Sequence, residues 1–70
     1  MSEYLIVIEG EHESFSAYSP DLPGCVAAGS SVEEVEQLMK EAIALHLDSL
    51  RQHGEPVPAP HSSARYVGVG

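Results

Sequence analysis

One amphipathic stretch, residues 32–53, constrains this chain more than any other feature of its sequence. Ser31 suits the N-cap and Glu34 the third helical position of a capping box, while Gly54 suits the position just beyond the C-terminus. Eight apolar residues and His46 recur between them at intervals of three and four, the spacing of one helix face. They are Val32, Val35, Leu38, Met39, Ala42, Ile43, His46, Leu47 and Leu50. The pattern predicts one long helix over residues 32–53, with an apolar stripe.

The N-terminal segment predicts a strand that is apolar on both faces. Residues 4–9 are short, β-branched and bounded by Gly10, which is typical of a strand. Alternation places Tyr4, Ile6 and Ile8 on one face and Leu5 and Val7 on the other. Because one helix covers only one face, we expect an oligomer or a partner to cover the second.

Three further segments complete a predicted β-β-β-α-β order. Residues 15–18 resume an apolar–polar alternation, and residues 25–28 form a short apolar run before Gly29. Residues 65–69 are β-prone at their centre and follow a proline-rich, extended segment, residues 55–60. The predicted fold class is α+β: a three-stranded antiparallel sheet, one long helix and a short terminal strand. We expect a single domain over residues 1–70.

The charge and size of the chain limit its partners. Its 70 residues hold eleven Asp or Glu and three Lys or Arg, a net charge of −8. Binding nucleic acid through phosphates needs clustered cations, so a basic protein is the better partner. A chain this short has a marginal core, and the single Cys25 excludes an internal disulfide. We therefore expect a homo-oligomer, a dimer or tetramer.

The N-terminus and the use of cysteine predict a cytoplasmic protein. Met1, Ser2 and Glu3 lack the basic region that opens a signal peptide. The longest apolar run, residues 4–8, is too short to cross a membrane. A single cysteine is typical of a reducing compartment.

Catalytic and metal-binding interpretations have little support in the sequence. The four histidines, at positions 12, 46, 53 and 61, show no metal-ligand spacing, so neither metal nor cofactor is predicted. His46, on the apolar stripe, suits a packed imidazole better than a ligand. A metal-dependent nuclease using Glu9 or Asp21 is an alternative, but the chain lacks cations to hold its substrate. We predict that the chain is not an enzyme.

The order of the motifs resembles the HicB family of antitoxins from bacterial and archaeal toxin–antitoxin pairs. After the two-sided strand and hairpin come Ser-Pro-Asp-Leu-Pro-Gly-Cys at 19–25 and Gly-Ser-Ser-Val-Glu-Glu at 29–34. Glu-Ala-Ile at 41–43 lies in the helix, and Gly-Glu-Pro-Val-Pro at 54–58 follows it. The resemblance extends from about residue 4 to residue 69.

That resemblance implies a fold, a partner and a function. The fold is a partial ribonuclease-H-like domain without the nuclease active site. The partner is a HicA-like toxin, a small basic protein that cleaves mRNA, which the antitoxin of this type II pair binds and occludes. Many family members add a C-terminal DNA-binding domain; none is expected here, so operator binding is not carried over. The alternative is a stand-alone homo-oligomeric binding or scaffold module without a toxin partner.

Two groups of residues are candidate sites. Four acids outside the helix are expected to steer a basic toxin, with a solvated surface as the alternative interpretation; they are Glu9, Glu11, Glu13 and Asp21. The family's turn motif comprises Pro20, Asp21, Leu22, Pro23, Gly24 and Cys25. Prolines stiffen such a turn and a glycine relieves its sterics, so a structural role is favoured over toxin contact.

Overall fold

The computed structural model describes residues 2–70 and contains four regular elements. In chain order they are β1 (Val7–Glu11), β2 (Ser14–Tyr18), β3 (Val26–Gly29) and α1 (Val32–Gln52). The strands form one antiparallel sheet in the order β1-β2-β3. The helix packs mainly over β3 and β2 and reaches β1 only slightly. The predicted three-stranded antiparallel sheet with one long helix is confirmed.

The core lies between this helix and one face of the sheet. Its buried side chains come from three places, namely Ala17 of β2, Leu22 and Cys25 of the β2–β3 connection, and Val35 and Met39 of the helix. Partly buried side chains surround them: Tyr4, Ile6, Ile8, Phe15, Ala27, Ile43 and Leu47. A 21-residue helix is about 32 Å long and the strands only about 17 Å, so the helix extends past the sheet.

Both ends of the helix form as the sequence indicates. The Ser31 hydroxyl oxygen accepts a hydrogen bond from the Glu34 amide at 3.1 Å. In a capping box the glutamate side chain accepts a hydrogen bond from the amide of the N-cap residue. Here the Glu34 carboxylate accepts instead from the amide of Ser30, one residue before the N-cap, at 2.6 Å. At the other end His53 is the C-cap and Gly54 adopts a left-handed φ of 67°. A glycine meets that requirement without strain.

The strands begin and end at slightly different residues from those predicted. The sequence predicts the first strand over residues 4–9, but β1 pairs from Val7, opposite Tyr18, the last residue of β2. Residues 4–6 therefore have no strand partner on that side. The Ser19 hydroxyl instead donates to the Leu5 carbonyl at 2.9 Å. β2 and β3 lie within one residue of their predicted bounds.

The predicted terminal strand is not formed in this chain. Residues 65–69 carry no regular secondary structure. Tyr66, Val67 and Val69 are almost wholly exposed, so they add nothing to the core. A strand needs a partner for its backbone hydrogen bonds, and β-propensity alone cannot supply one.

Candidate partner-binding surface

The face of the sheet turned away from the helix is apolar in its middle. The register places Val7, Tyr18 and Val26 side by side across the three strands. Alternation puts them opposite Ile8, Ala17 and Ala27, which face the helix. Tyr18 is 43% exposed and Val26 67%. We call this the open face.

The acidic residues of the hairpin lie at one end of this surface. Glu9 and Glu11 share the open face with Val7, because all three are odd-numbered positions of β1. Glu13 follows in the turn, and all three acids are exposed. Within residues 2–70 none of these carboxylates forms an ion pair. We call these three residues the acidic hairpin end.

The backbone of the hairpin holds these acids in place. Its turn consists of two residues, since Glu11 and Ser14 are paired. His12 has a φ of 59° and Gly10 a φ of 136°. A side chain at Gly10 would collide with the Ser14 carbonyl oxygen. Glycine is therefore the residue that lets β1 lie against β2 here.

Asp21 lies apart from the other three acids, and its side chain is completely buried. One carboxylate oxygen accepts hydrogen bonds from the amides of His61 and Ser62, both at 3.1 Å. The other accepts from the Ser62 hydroxyl at 2.6 Å and lies 3.0 Å from the Nδ1 atom of His61. Asp21 thus anchors the C-terminal segment, which we define as residues 56–70.

These contacts determine the charge state of Asp21. The Ser62 hydroxyl bond, followed by the two amide bonds and the nearby His61 ring, lowers the pKa of this carboxyl below its ordinary value, although burial opposes the shift. The carboxylate is ionised at neutral pH. Both oxygens of the carboxylate accept hydrogen bonds from the C-terminal segment of the same chain.

The rest of the turn motif is built around a buried leucine. Two successive backbone hydrogen bonds, from Leu22 to the Ser19 carbonyl and from Cys25 to the Leu22 carbonyl, shape residues 19–25. Leu22 has no exposed surface, and Gly24 adopts a φ of 91°. Burial raises the pKa of the Cys25 thiol, which keeps it protonated and a poor nucleophile.

The remaining polar side chains do not assemble into a site. Among residues 2–70 no group of three or more His, Cys, Asp or Glu side chains is arranged to hold a metal ion. His12, His53 and His61 are exposed, and His46 is half-buried on the helix. No helix in the described part of the chain is both long and apolar enough to span a membrane.

Sequence reasoning missed the apolar row that crosses the open face. It identified Leu5 and Val7 but assigned no role to Tyr18 or Val26. The alternation of side chains along β2 was the available signal. It places Tyr18 on the same face as Ser16, and Phe15 and Ala17 on the opposite face. Placing Val26 beside Tyr18 required the register, which the pairing of β2 with β3 reveals.

A comparison with protein families decides the identity of the domain. The model described as a HicB-like antitoxin of bacterial toxin–antitoxin systems matches residues 4–68. The chain belongs to this antitoxin family. The description of the family places its members in bacterial toxin–antitoxin systems, as antitoxins.

Similar proteins occur in a phage and in distant microorganisms. A protein of Haemophilus phage HP1, described as an uncharacterized 14.9 kDa protein in the rep-hol intergenic region, is 31% identical over 91% of this chain. The chain spans only 48% of that protein. A UPF0150 protein of Thermoplasma acidophilum is 32% identical over 80% of the chain and 83% of its own length. A UPF0150 protein of Synechocystis is 38% identical, with coverages of 79% and 71%. No solved structure matches the chain.

Proposed function

We propose that this HicB-family chain binds a small, basic, HicA-like mRNA-cleaving toxin and occludes its RNA-binding surface. The observation that carries the proposal is the acidic hairpin end beside the apolar row of the open face. Together they offer what a cationic RNA-binding protein would contact: an exposed apolar centre with anionic side chains at its margin.

The charge distribution supports this assignment. The first 39 residues contain no Lys or Arg, and the three cations of the chain are Lys40, Arg51 and Arg65. Two of these lie on the helix, and Arg51 pairs with Asp48 at 3.4 Å. The field at the acidic hairpin end is therefore negative. Such a field steers a basic partner toward this surface. The carboxylates then compete with RNA phosphates for the cationic side chains of that partner.

The apolar row gives the proposed interface its centre. Stable interfaces combine a desolvated apolar core with a polar rim, and tyrosine is frequent among the residues that dominate binding energy. Tyr18 lies between Val7 and Val26 on the middle strand. We assign Tyr18 to the centre of the contact and Glu9, Glu11 and Glu13 to its rim. Asp21 then acts indirectly, by holding the C-terminal segment.

We also propose the finer fold that the resemblance implies. The observed β-β-β-α order supports a partial ribonuclease-H-like domain, which one more strand would complete as β-β-β-α-β. The exposed edges of β1 and β3 are open to such a strand, as each pairs only with β2 within residues 2–70.

Calorimetric titration with the product of the neighbouring gene tests the proposed function. The expected partner is a basic protein that cleaves RNA, binds the wild-type chain and loses its activity in the complex. Affinity should weaken as salt rises, because the rim charges are exposed. Absence of binding at low salt would contradict the proposal and favour a stand-alone module.

Charge-matched variants locate the surface. Glu11→Gln combined with Glu13→Gln should weaken toxin binding by about tenfold and flatten its salt dependence, as rim charges act mainly on association. The control, Glu41→Gln combined with Glu55→Gln, removes the same charge from residues outside the hairpin. Equal losses from both pairs would show that net charge, and not this surface, is responsible.

A further inference from the structure

The C-terminal segment ends in side chains that its own chain leaves unused. Tyr66 is fully exposed, and Val67 and Val69 are 80% and 94% exposed. Three large apolar side chains within four residues are unfavourable in water unless something covers them. The only charged side chain here, Arg65, donates to the carbonyl of its neighbour Ala64 at 2.9 Å.

A groove with an apolar wall lies near the beginning of β1. The helix sits over β3 and β2, which leaves an open groove of about 230 Å³ between the helix and residues 2–6, the segment that leads into β1. Its apolar wall is formed by Tyr4, Ile6, Met39 and Ile43. The outer edge of β1 has no strand partner within residues 2–70, so its backbone groups are free to pair.

We propose that residues 65–69 of one copy add as a fourth strand to the β1 edge of a second copy, and reciprocally. An added strand extends the sheet over the groove, so that alternate side chains point into it. Each copy then both donates and accepts a segment. This produces a closed, two-fold symmetric dimer.

The alternation of the segment matches the two faces of β1. Arg65, Val67 and Val69 share one face and Tyr66 lies on the other. With Tyr66 in the groove, the two valines extend the apolar row of the open face. Arg65 then lies on the face that carries the exposed acids Glu9 and Glu11. The segment contains no Asp or Glu, so its charge complements that of the hairpin strand.

The path of the segment favours a second copy as the acceptor. Tyr4, three residues before β1, donates its hydroxyl proton to the Pro58 carbonyl. Four residues later Ser62 is fixed to Asp21, in the β2–β3 connection. The chain therefore crosses the end of the sheet away from its own β1 edge. Returning to that edge would require a reversal within residues 63–64 or release of the Asp21 contacts.

The mass in solution, measured by light scattering on the isolated chain, is the first test. The expected species has twice the 7.5 kDa mass of one chain. Removing residues 65–70 should give a monomer that keeps its fold by circular dichroism. Val67→Pro should weaken the dimer by about tenfold through loss of a backbone donor, whereas Val67→Thr, which keeps that donor, should leave it intact. A monomeric wild-type chain, or a dimer that survives the truncation, would overturn the proposal.

Disulfide trapping distinguishes exchange from closure within one chain. In a Cys25→Ala background, a chain with Val67→Cys is mixed with a tagged chain carrying Val7→Cys. A disulfide between the two chains is expected, and Gly68→Cys, on the opposite face, should form it less readily. When one chain carries both cysteines, a bond only within that chain would contradict exchange. These tests need no toxin, so they stand or fall independently of toxin binding.

Discussion

Two acid-bearing connections lie at opposite ends of the same small sheet, and the protein uses them in different ways. In the β1–β2 hairpin, Glu11 and Glu13 are exposed and form no ion pair within residues 2–70. In the β2–β3 connection, Asp21 is buried and accepts three hydrogen bonds from His61 and Ser62. The C-terminal segment crosses only the second end of the sheet. An acid in a loop becomes structural when another part of the chain passes over it.

The largest effect on stability is expected from Leu22→Ala in the β2–β3 connection. Leu22 has no exposed surface, and truncating such a leucine costs about 2–5 kcal/mol of unfolding free energy. Urea denaturation followed by circular dichroism measures the loss. The matched control is Leu45→Ala on the exposed helix face, where Leu45 is 71% exposed. Similar losses at both positions would refute the central place of Leu22 in the core.

A smaller loss is expected from Gly10→Ala in the hairpin. Gly10 has a φ of 136°, and a Cβ atom there would meet the Ser14 carbonyl oxygen. Strained backbone of this kind costs about 1–3 kcal/mol. Gly70→Ala, at an open position outside the proposed strand, is the control and should be neutral in the same urea titration. An unchanged Gly10→Ala midpoint would show that the hairpin relaxes without cost.

A local effect is expected from Asp21→Asn. The amide keeps one acceptor oxygen but loses the charge and the second oxygen, so Ser62 and His61 are held less firmly. Hydrogen exchange of these two amides should become faster and proteolysis after Arg65 quicker. The paired control Glu13→Gln should change neither. Unchanged protection in Asp21→Asn would mean that the segment is held by other contacts.

The same residue gives a pH dependence with a definite sign. The pKa of Asp21 in the folded chain lies below its ordinary value of 3.8, because its hydrogen bonds favour the ionised form. Its contribution to stability is therefore complete above that value and is lost as the pH falls below about 4. In urea titrations at several pH values, Asp21→Asn should lose less unfolding free energy than the wild type as the pH falls below about 4. Glu11→Gln should show the same loss as the wild type.

The sequence predicts the helix and its ends well because those signals are local. Ser31, Glu34 and Gly54 act within one turn of the helix ends, and the apolar stripe depends only on spacing. Strand positions are also predicted closely, but their ends depend on the partner strand. β1 begins at Val7 because β2 ends at Tyr18, a fact that no single segment contains.

The candidate site is predicted only in part. The sequence identifies the acidic hairpin end, but it treats Asp21 as equivalent to Glu9, Glu11 and Glu13. It could not reveal that Ser62, 41 residues away, donates a hydrogen bond to the Asp21 carboxylate. The apolar row was missed for a related reason, since Tyr18 and Val26 become neighbours only through strand pairing.

The sequence by itself determined the net charge of −8, the α+β class, the helix and the order of motifs that places the chain among HicB-like antitoxins. These follow from composition, periodicity and short-range capping, which act between near neighbours. Only the tertiary structure decided which acids remain exposed, which face of the sheet stays uncovered and that residues 65–69 form no strand in their own chain. Those outcomes depend on contacts between residues far apart in sequence, because burial and strand pairing are properties of the assembled fold.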